Sequence, residues 1–305
     1  MNETIITSVK TYIDIDAYAG IIAYRHLLSS LGKVVIGVST AVINESISPI
    51  IKDIELSLDN FDEKGNQKFI VLDVSNPEMF DKIVDNKNII EIIDHHTGFE
   101  QYWKEKNNIT TQIEFIGSIC TIIFEKYKSF NRLEILNSDI CKLLIAGILD
   151  NTLNLKASIT TERDINAYNS LLKIGYIDKS WGNEYFLSCQ ELIEQNLLLS
   201  IKNDLKIEYV NENLPEVFGQ LLVLNKDSIL EKKDEIIEIM NGYSNEWIFN
   251  LISLSDGKSY IISNNEMTKQ KIEKLFESNF HENILILDKF MLRKEIIKKA
   301  RNYKD

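Results

Sequence analysis

The chain has 305 residues, 44% of them hydrophobic and 26% charged, and carries a formal net charge of −12. That length predicts two moderate cores in preference to one large one, and with three prolines and 12 glycines little disorder is expected beyond the termini. The acidity works against long-range attraction to polyanions and argues against a general nucleic-acid binder, although clustered carboxylates can still recruit divalent cations and, through them, a phosphorylated substrate. No apolar run reaches membrane-spanning length, and the opening MNETIITSVK lacks the pattern of a secretion signal, so a cytoplasmic protein with no membrane partner is expected.

In chain order, short apolar runs alternate with longer helical patterns: TIITSV, AYAGIIAYRHLLSSLG, KVVIGVST, KFIVLD, NIIEIID and QIEFIG. This alternation predicts an α/β fold, a mostly parallel sheet with flanking helices. Function in such sheets gathers in the loops beyond the carboxyl ends of the strands. From about 139 to 202 the pattern is helical, with CKLLIAGIL, ERDINAYNSLLKIG and EYFLSCQELIEQNLLLSIK at a period near 3.6 residues. A second alternation follows, with KIEYV, GQLLVLN, WIFNLISLS, KSYIIS and ILILD around helices such as DSILEKKDEIIEIMN. The expected layout is a first domain over 1–190, a helical linker over 191–203, and a smaller C-terminal α/β domain with a mixed sheet over 204–305. Cys120, Cys141 and Cys189 are odd in number and sit in apolar patterns, as buried structural thiols do.

Polar clusters punctuate the ends of the apolar runs. Asp14 and Asp16 flank Ile15 just before a helix, where acids also serve the helix dipole. Asp73 ends KFIVLD, and Asp94, His95 and His96 end NIIEIID. Carboxylates and imidazoles at a strand end are costly unless partnered, and a divalent cation is a suitable partner. Consecutive histidines point in different directions and can serve metal and substrate separately, whereas the isolated His26 and His281 are read as packed or solvated. Asp150 and Asn151 close CKLLIAGIL, a place where Asn is also a common helix cap.

Taken together, DID at 14–16, VLD at 71–73, IIDHH at 92–96, GSICT at 117–121 and AGILDNTLNLKASITTERD at 146–164 resemble, in order and spacing, the DHH phosphoesterase superfamily. The branch they are most similar to contains the manganese-dependent family II inorganic pyrophosphatases and the exopolyphosphatases. The resemblance implies one or two Mn²⁺ or Mg²⁺ ions held by Asp14, Asp16, Asp73, His95 and Asp150, with Asp73 bridging, and His96 free to act as acid toward the leaving oxygen. It also implies that Lys206 in DLKIEYV and Arg293 and Lys294 in LRKEII bind the phosphate, a task suited to a guanidinium fork and an ammonium. Two positions depart from the family pattern. Lys10 stands where the first motif has a histidine, and Asn151 falls on the fourth-motif Asp, with Asp150 one residue earlier. Either Asp150 takes over as ligand through a local shift, or one metal is held by a weaker set.

The function implied is metal-dependent hydrolysis of a small phosphate ester or phosphoanhydride: pyrophosphate, polyphosphate or a phosphorylated metabolite. Two other readings compete, a non-catalytic ligand-sensing protein with a decayed metal site and an oligonucleotide or dinucleotide phosphodiesterase. The chain has no Gly-Gly pair, which the nucleic-acid branch carries in its second domain. Oligomeric state stays open, a homodimer included.

Overall fold

A computed structural model describes residues 3–106 and 108–303, and the chain divides into two compact units, Met1–Tyr185 and Phe186–Asp305. The first unit is built on a five-stranded sheet of spatial order Val35–Gly37, Thr4–Thr7, Lys68–Leu72, Ile89–Asp94 and Thr110–Ile113, every neighbouring pair parallel. Its strands read as nearly continuous apolar runs because both faces are covered. Ile5, Phe69, Val71 and Ile92 point into one core with Val38, Phe80 and Trp103. Ile6, Ile70, Leu72 and Ile93 alternate to the other face and are equally buried.

That second face lies under helices. The helix Ile15–Ser30 is apolar all round and buried along most of its length, packed against the helices Ile119–Ser129 and Ser138–Asn151. Asp14 caps its N-terminus by accepting the Ala17 N–H, and Gly32 at φ 76° turns the chain out of it. The strand order reverses between Thr4–Thr7 and Lys68–Leu72, and the loops beyond the carboxyl ends of such a pair form a crevice open to ligands.

The second unit has a mixed five-stranded sheet of order Ile284–Leu287, Lys258–Ile262, Trp247–Ser253, Val217–Val223 and Lys206–Ile207, with one parallel pairing, Trp247–Ser253 on Val217–Val223. Trp247, Phe249 and Leu251 face one core, and Ile248 faces the other with Phe218 and Ile261, so WIFNLIS is buried on both sides. Two expectations need correction. The tract 191–203 is helical, within Trp181–Gln195 and Leu197–Asn203, but Ile193, Leu197 and Ile201 are core residues of the second unit, so it is no free-standing linker and the division falls between Tyr185 and Phe186. QIEFIG is not a strand throughout: the strand ends at Ile113, because the Glu114 carboxylate is held by Arg163 and the Ile116 carbonyl turns to His95. Cys120, Cys141 and Cys189 are buried thiols, none of them in a disulfide. Among the described residues, no helix is long and apolar enough to cross a membrane.

Candidate metal centre

The carboxyl ends of two adjacent strands deliver the centre of the site. Asp73 directly follows Lys68–Leu72 and takes a left-handed conformation, φ 62°, with its N–H bonded to the Ile93 carbonyl at 2.8 Å. Asp tolerates this region better than most residues, and its use here turns the carboxylate out of the sheet toward the next strand end. There, Asp94 is fully buried, His95 is buried and His96 is exposed.

The two imidazoles have different partners. His95 Nδ1 lies 3.0 Å from the Ile116 carbonyl, which can only accept, so Nδ1 carries the proton and Nε2 presents a lone pair. That lone pair faces Asp73 Oδ1 at 3.2 Å, and both atoms are buried with no hydrogen-bond partner. Two acceptors so placed require a proton or a cation between them. His96 Nδ1 instead donates to Asp94 Oδ1 at 2.9 Å, and its backbone N–H donates to the same oxygen at 3.0 Å. The ring is thereby fixed, and Nε2 is the atom left for a substrate. Among the described residues, Asp73, His95 and His96 place one ligand atom each within 4.8 Å of one another.

Electrostatics agree with a cation site. Burial, followed by the negative charge of Asp14, pushes the Asp73 pKa well above the ordinary carboxylate range, with Asp16 and Asp94 adding to it against His96. Burial and then Asp16 raise Asp14 as well. Asp94 goes the other way: burial alone would raise its pKa, but the ring and backbone N–H groups of His96 and the His96 charge hold it below the usual value. Carboxylates whose charged forms are disfavoured by one another gain most from a divalent ion.

Asp16 is treated differently. Its carboxylate accepts the Ser118 hydroxyl at 2.5 Å, the Ile119 N–H at 3.0 Å, the Cys120 N–H at 3.1 Å and the Asn151 side-chain amide. Gly147 allows this close fit, since a Cβ there would come within 2.5 Å of Cys120 Sγ and 3.1 Å of Asp16 Oδ1. One turn later on the same helix face stands Asn151. Of the two residues left open for the fourth-motif position, Asn151 meets Asp16, while Asp150 is turned about 100° away and its Oδ1 accepts the Tyr185 hydroxyl at 3.0 Å. Lys10 is exposed, with its backbone N–H bonded to the Met79 carbonyl.

Asp164 escaped the sequence reading as a site residue. It is fully buried, and it accepts the Gly117 N–H at 3.0 Å, the Thr121 hydroxyl at 2.6 Å and both the N–H and hydroxyl of Thr161. It thus anchors the segment whose Ile116 carbonyl orients His95 and whose residues 118–120 hold Asp16. The T-x-x-D spacing of Thr161 and Asp164, a capping box, was its visible signal.

In the second unit the three expected phosphate-binding cations fare unequally. Lys206 is exposed and paired with Glu208 at 2.7 Å, and Lys294 is exposed near the start of the helix Arg293–Asn302. Arg293 does not present its fork to a ligand as expected. Its guanidinium is buried over the Phe218 ring and donates to the Asp204 carbonyl at 2.6 Å, the Phe218 carbonyl at 3.0 Å and the Asp204 carboxylate at 2.5 Å. His26, read as packed, meets the Tyr127 hydroxyl at 2.8 Å.

Residues 4–148 match the model of the DHH family, N-terminal domain. The chain carries a DHH domain. Relatives extend the likeness beyond that domain: the probable manganese-dependent inorganic pyrophosphatases of Lactobacillus helveticus, 23% identical with 92% of each chain covered, and of Oceanobacillus iheyensis, 25% identical with 78% of this chain and 79% of the other covered. Among solved structures, a Methanococcus jannaschii protein assigned as a family II inorganic pyrophosphatase superposes with a TM-score of 0.69 at 21% identity, covering 98% of this chain and 100% of the other. An exopolyphosphatase-related protein of Bacteroides fragilis gives 0.51 at 15% identity, covering 98% and 90%. At these identities the superpositions establish the fold. In the DHH domain the Asp-His-His triplet at 94–96 is the point where a carboxylate, a buried imidazole and an exposed one diverge in partners.

Proposed function

We propose that this chain is a metal-dependent hydrolase of a small phosphoanhydride or phosphate ester, with Mn²⁺ or Mg²⁺ as its cation. The observation that carries the reading is the pair of buried, unpartnered acceptors, Asp73 Oδ1 and His95 Nε2, facing each other at 3.2 Å beside an exposed, oriented His96. The likeness to manganese-dependent pyrophosphatases along most of the chain supports it. A divalent cation in such a site lowers the pKa of the attacking water and neutralises charge developing on phosphoryl oxygens.

The protein's own groups supply the rest. His95 and Asp73 bind the cation, with Asp14 close enough for its charge to be felt at Asp73. Asp94 accepts the Nδ1–H of His96 and fixes the ring, so that in the imidazolium form Nε2–H can hand its proton to the leaving oxygen and leave a neutral imidazole. Lys206 and Lys294 are the cations we assign to the phosphate oxygens, and Arg293 is withdrawn from that role.

The test is phosphate release by metal-reconstituted protein from pyrophosphate, polyphosphate, sugar phosphates, nucleotides and dinucleotides, before and after chelation. Turnover of a small anhydride or monoester that chelation abolishes is the expected result. Cleavage confined to dinucleotides or short RNA would move the chain to the phosphodiesterase reading, and no turnover of any compound despite bound metal would leave a ligand-sensing protein.

A further inference from the structure

Building on the metal-dependent reading, we propose that this chain holds a single divalent cation, on Asp73 and His95, and that Asn151 together with the turn at 118–120 keeps Asp16 out of the coordination shell. A carboxylate offers about four lone-pair positions. Asp16 has four donors on them: the Ser118 hydroxyl and Cys120 N–H on Oδ1, the Ile119 N–H and the Asn151 amide on Oδ2. Two of these donors are the first backbone N–H groups of the helix Ile119–Ser129, which have no carbonyl within their own helix to bond. The same helix N-terminus meets the Asp16 charge with its dipole. Asp16 is therefore a carboxyl group with its oxygens satisfied, although His95 Nε2 stands 3.9 Å from its Oδ2.

Asp73, by contrast, lies among further carboxylates with an oxygen that nothing in the protein satisfies. Asp16 is thus held by donors on both oxygens, whereas Asp73 Oδ1 and Asp94 Oδ2 are buried without one, and of these Asp73 Oδ1 is the oxygen that faces His95 Nε2. The side chain that completes the first set is Asn151. An aspartate there would remove the donor, set a second carboxylate against Asp16 Oδ2, and create a position that a second cation would fill. An amide turned by 180° would oppose its oxygen to Asp16 in the same way, so the proposal requires the amide as it stands, with Nδ2 toward Asp16.

The experiment is a count of bound Mn²⁺ per chain by calorimetric titration and by metal analysis after gel filtration, with the EPR spectrum read for exchange coupling between manganese ions. The wild-type chain is expected to bind one ion and show an uncoupled spectrum, and Asn151→Asp to bind two with a coupled one. Two ions in the wild type would overturn the single-cation proposal and leave the hydrolase reading intact, whereas no bound ion would overturn the metal-dependent reading itself. A folded Asn151→Asp variant that still binds one would overturn the role given to Asn151. The wild-type count decides the proposal even where the variant does not fold.

Discussion

Replacing Asp73 with Asn should make the metal-free protein more stable and the metal-loaded protein less so. Asn is the informative substitution because it keeps the shape of the side chain and also tolerates the left-handed backbone at this position, φ 62°. In the metal-free wild type, Asp73 Oδ1 and His95 Nε2 are buried acceptors without a donor, a cost carried either as buried charge or as an enforced proton. An amide at position 73 can donate to His95 Nε2 across the same 3.2 Å gap, satisfying the imidazole and removing the charge. Leaving a buried polar group unsatisfied costs about 1–3 kcal/mol, more when it is charged. For a unit of this size that gain raises the melting temperature in chelator by about 2–12 °C. The assay is thermal unfolding of wild type and variant in EDTA and in saturating Mn²⁺. Wild type should show a large upward shift with Mn²⁺, by mass action on the folded state, and the variant a small one. A variant that melts lower than wild type in EDTA and keeps the full Mn²⁺ shift would refute both the orphaned-acceptor argument and the assignment of Asp73 as a ligand.

Arg293→Ala should destabilise the second unit by about 3–5 kcal/mol, because it strips a buried guanidinium from Asp204 and from two carbonyls. Trp247 fluorescence in urea reports that unit, and an unchanged midpoint with a raised KM would return Arg293 to substrate binding. Asp164→Ala removes the acceptor for the Gly117 and Thr161 N–H groups and should cost roughly 3–5 kcal/mol in the first unit. It should also weaken Mn²⁺ binding in titration, since the segment it anchors orients His95, and undiminished affinity would contradict that role. The hydrogen bond to Arg163 holds Glu114 below the ordinary carboxylate pKa, so its contribution is complete above about pH 4.3 and is lost as pH falls through the depressed value. Between pH 5 and 3 the melting temperature of Arg163→Met should therefore fall less steeply than that of wild type.

The centre of the site was legible because its residues end apolar runs. Asp73 and the 94–96 triplet are polar groups placed where a buried strand leaves the sheet, and the end of each apolar run marks them. The choice between Asp150 and Asn151 was not legible, because both belong to the last turn of one helix and the packing at Gly147 decides which faces Asp16. Arg293 misled for a different reason. An arginine reads alike whether its fork meets a ligand or protein carbonyls, and the groups that hold it, at Asp204 and Phe218, are 89 and 75 residues away in sequence. The helical tract ending at Asn203 gave its secondary structure through its period, but period does not say which core receives the apolar face. Ile193, Leu197 and Ile201 turned out to serve the second.

The contrast between Asp16 and Asp73 explains how one buried site can be both firmly folded and reactive. A segment anchored by Asp164 brings a hydroxyl and two helix N–H groups to Asp16, so that this carboxylate ties the helix Ile119–Ser129 to the start of the helix Ile15–Ser30 whether or not metal is bound. The same segment uses its Ile116 carbonyl to fix the His95 proton on Nδ1, which leaves Nε2 aimed at Asp73. Rigidity is thus built from the satisfied carboxylate and binding potential from the unsatisfied one. Asn151 acts in the same direction, since it gives Asp16 a neutral amide donor where a carboxylate would have offered a further ligand. On this argument, mutation of Asp16 disturbs folding first and metal binding as a consequence, whereas mutation of Asp73 disturbs metal binding and leaves the fold standing.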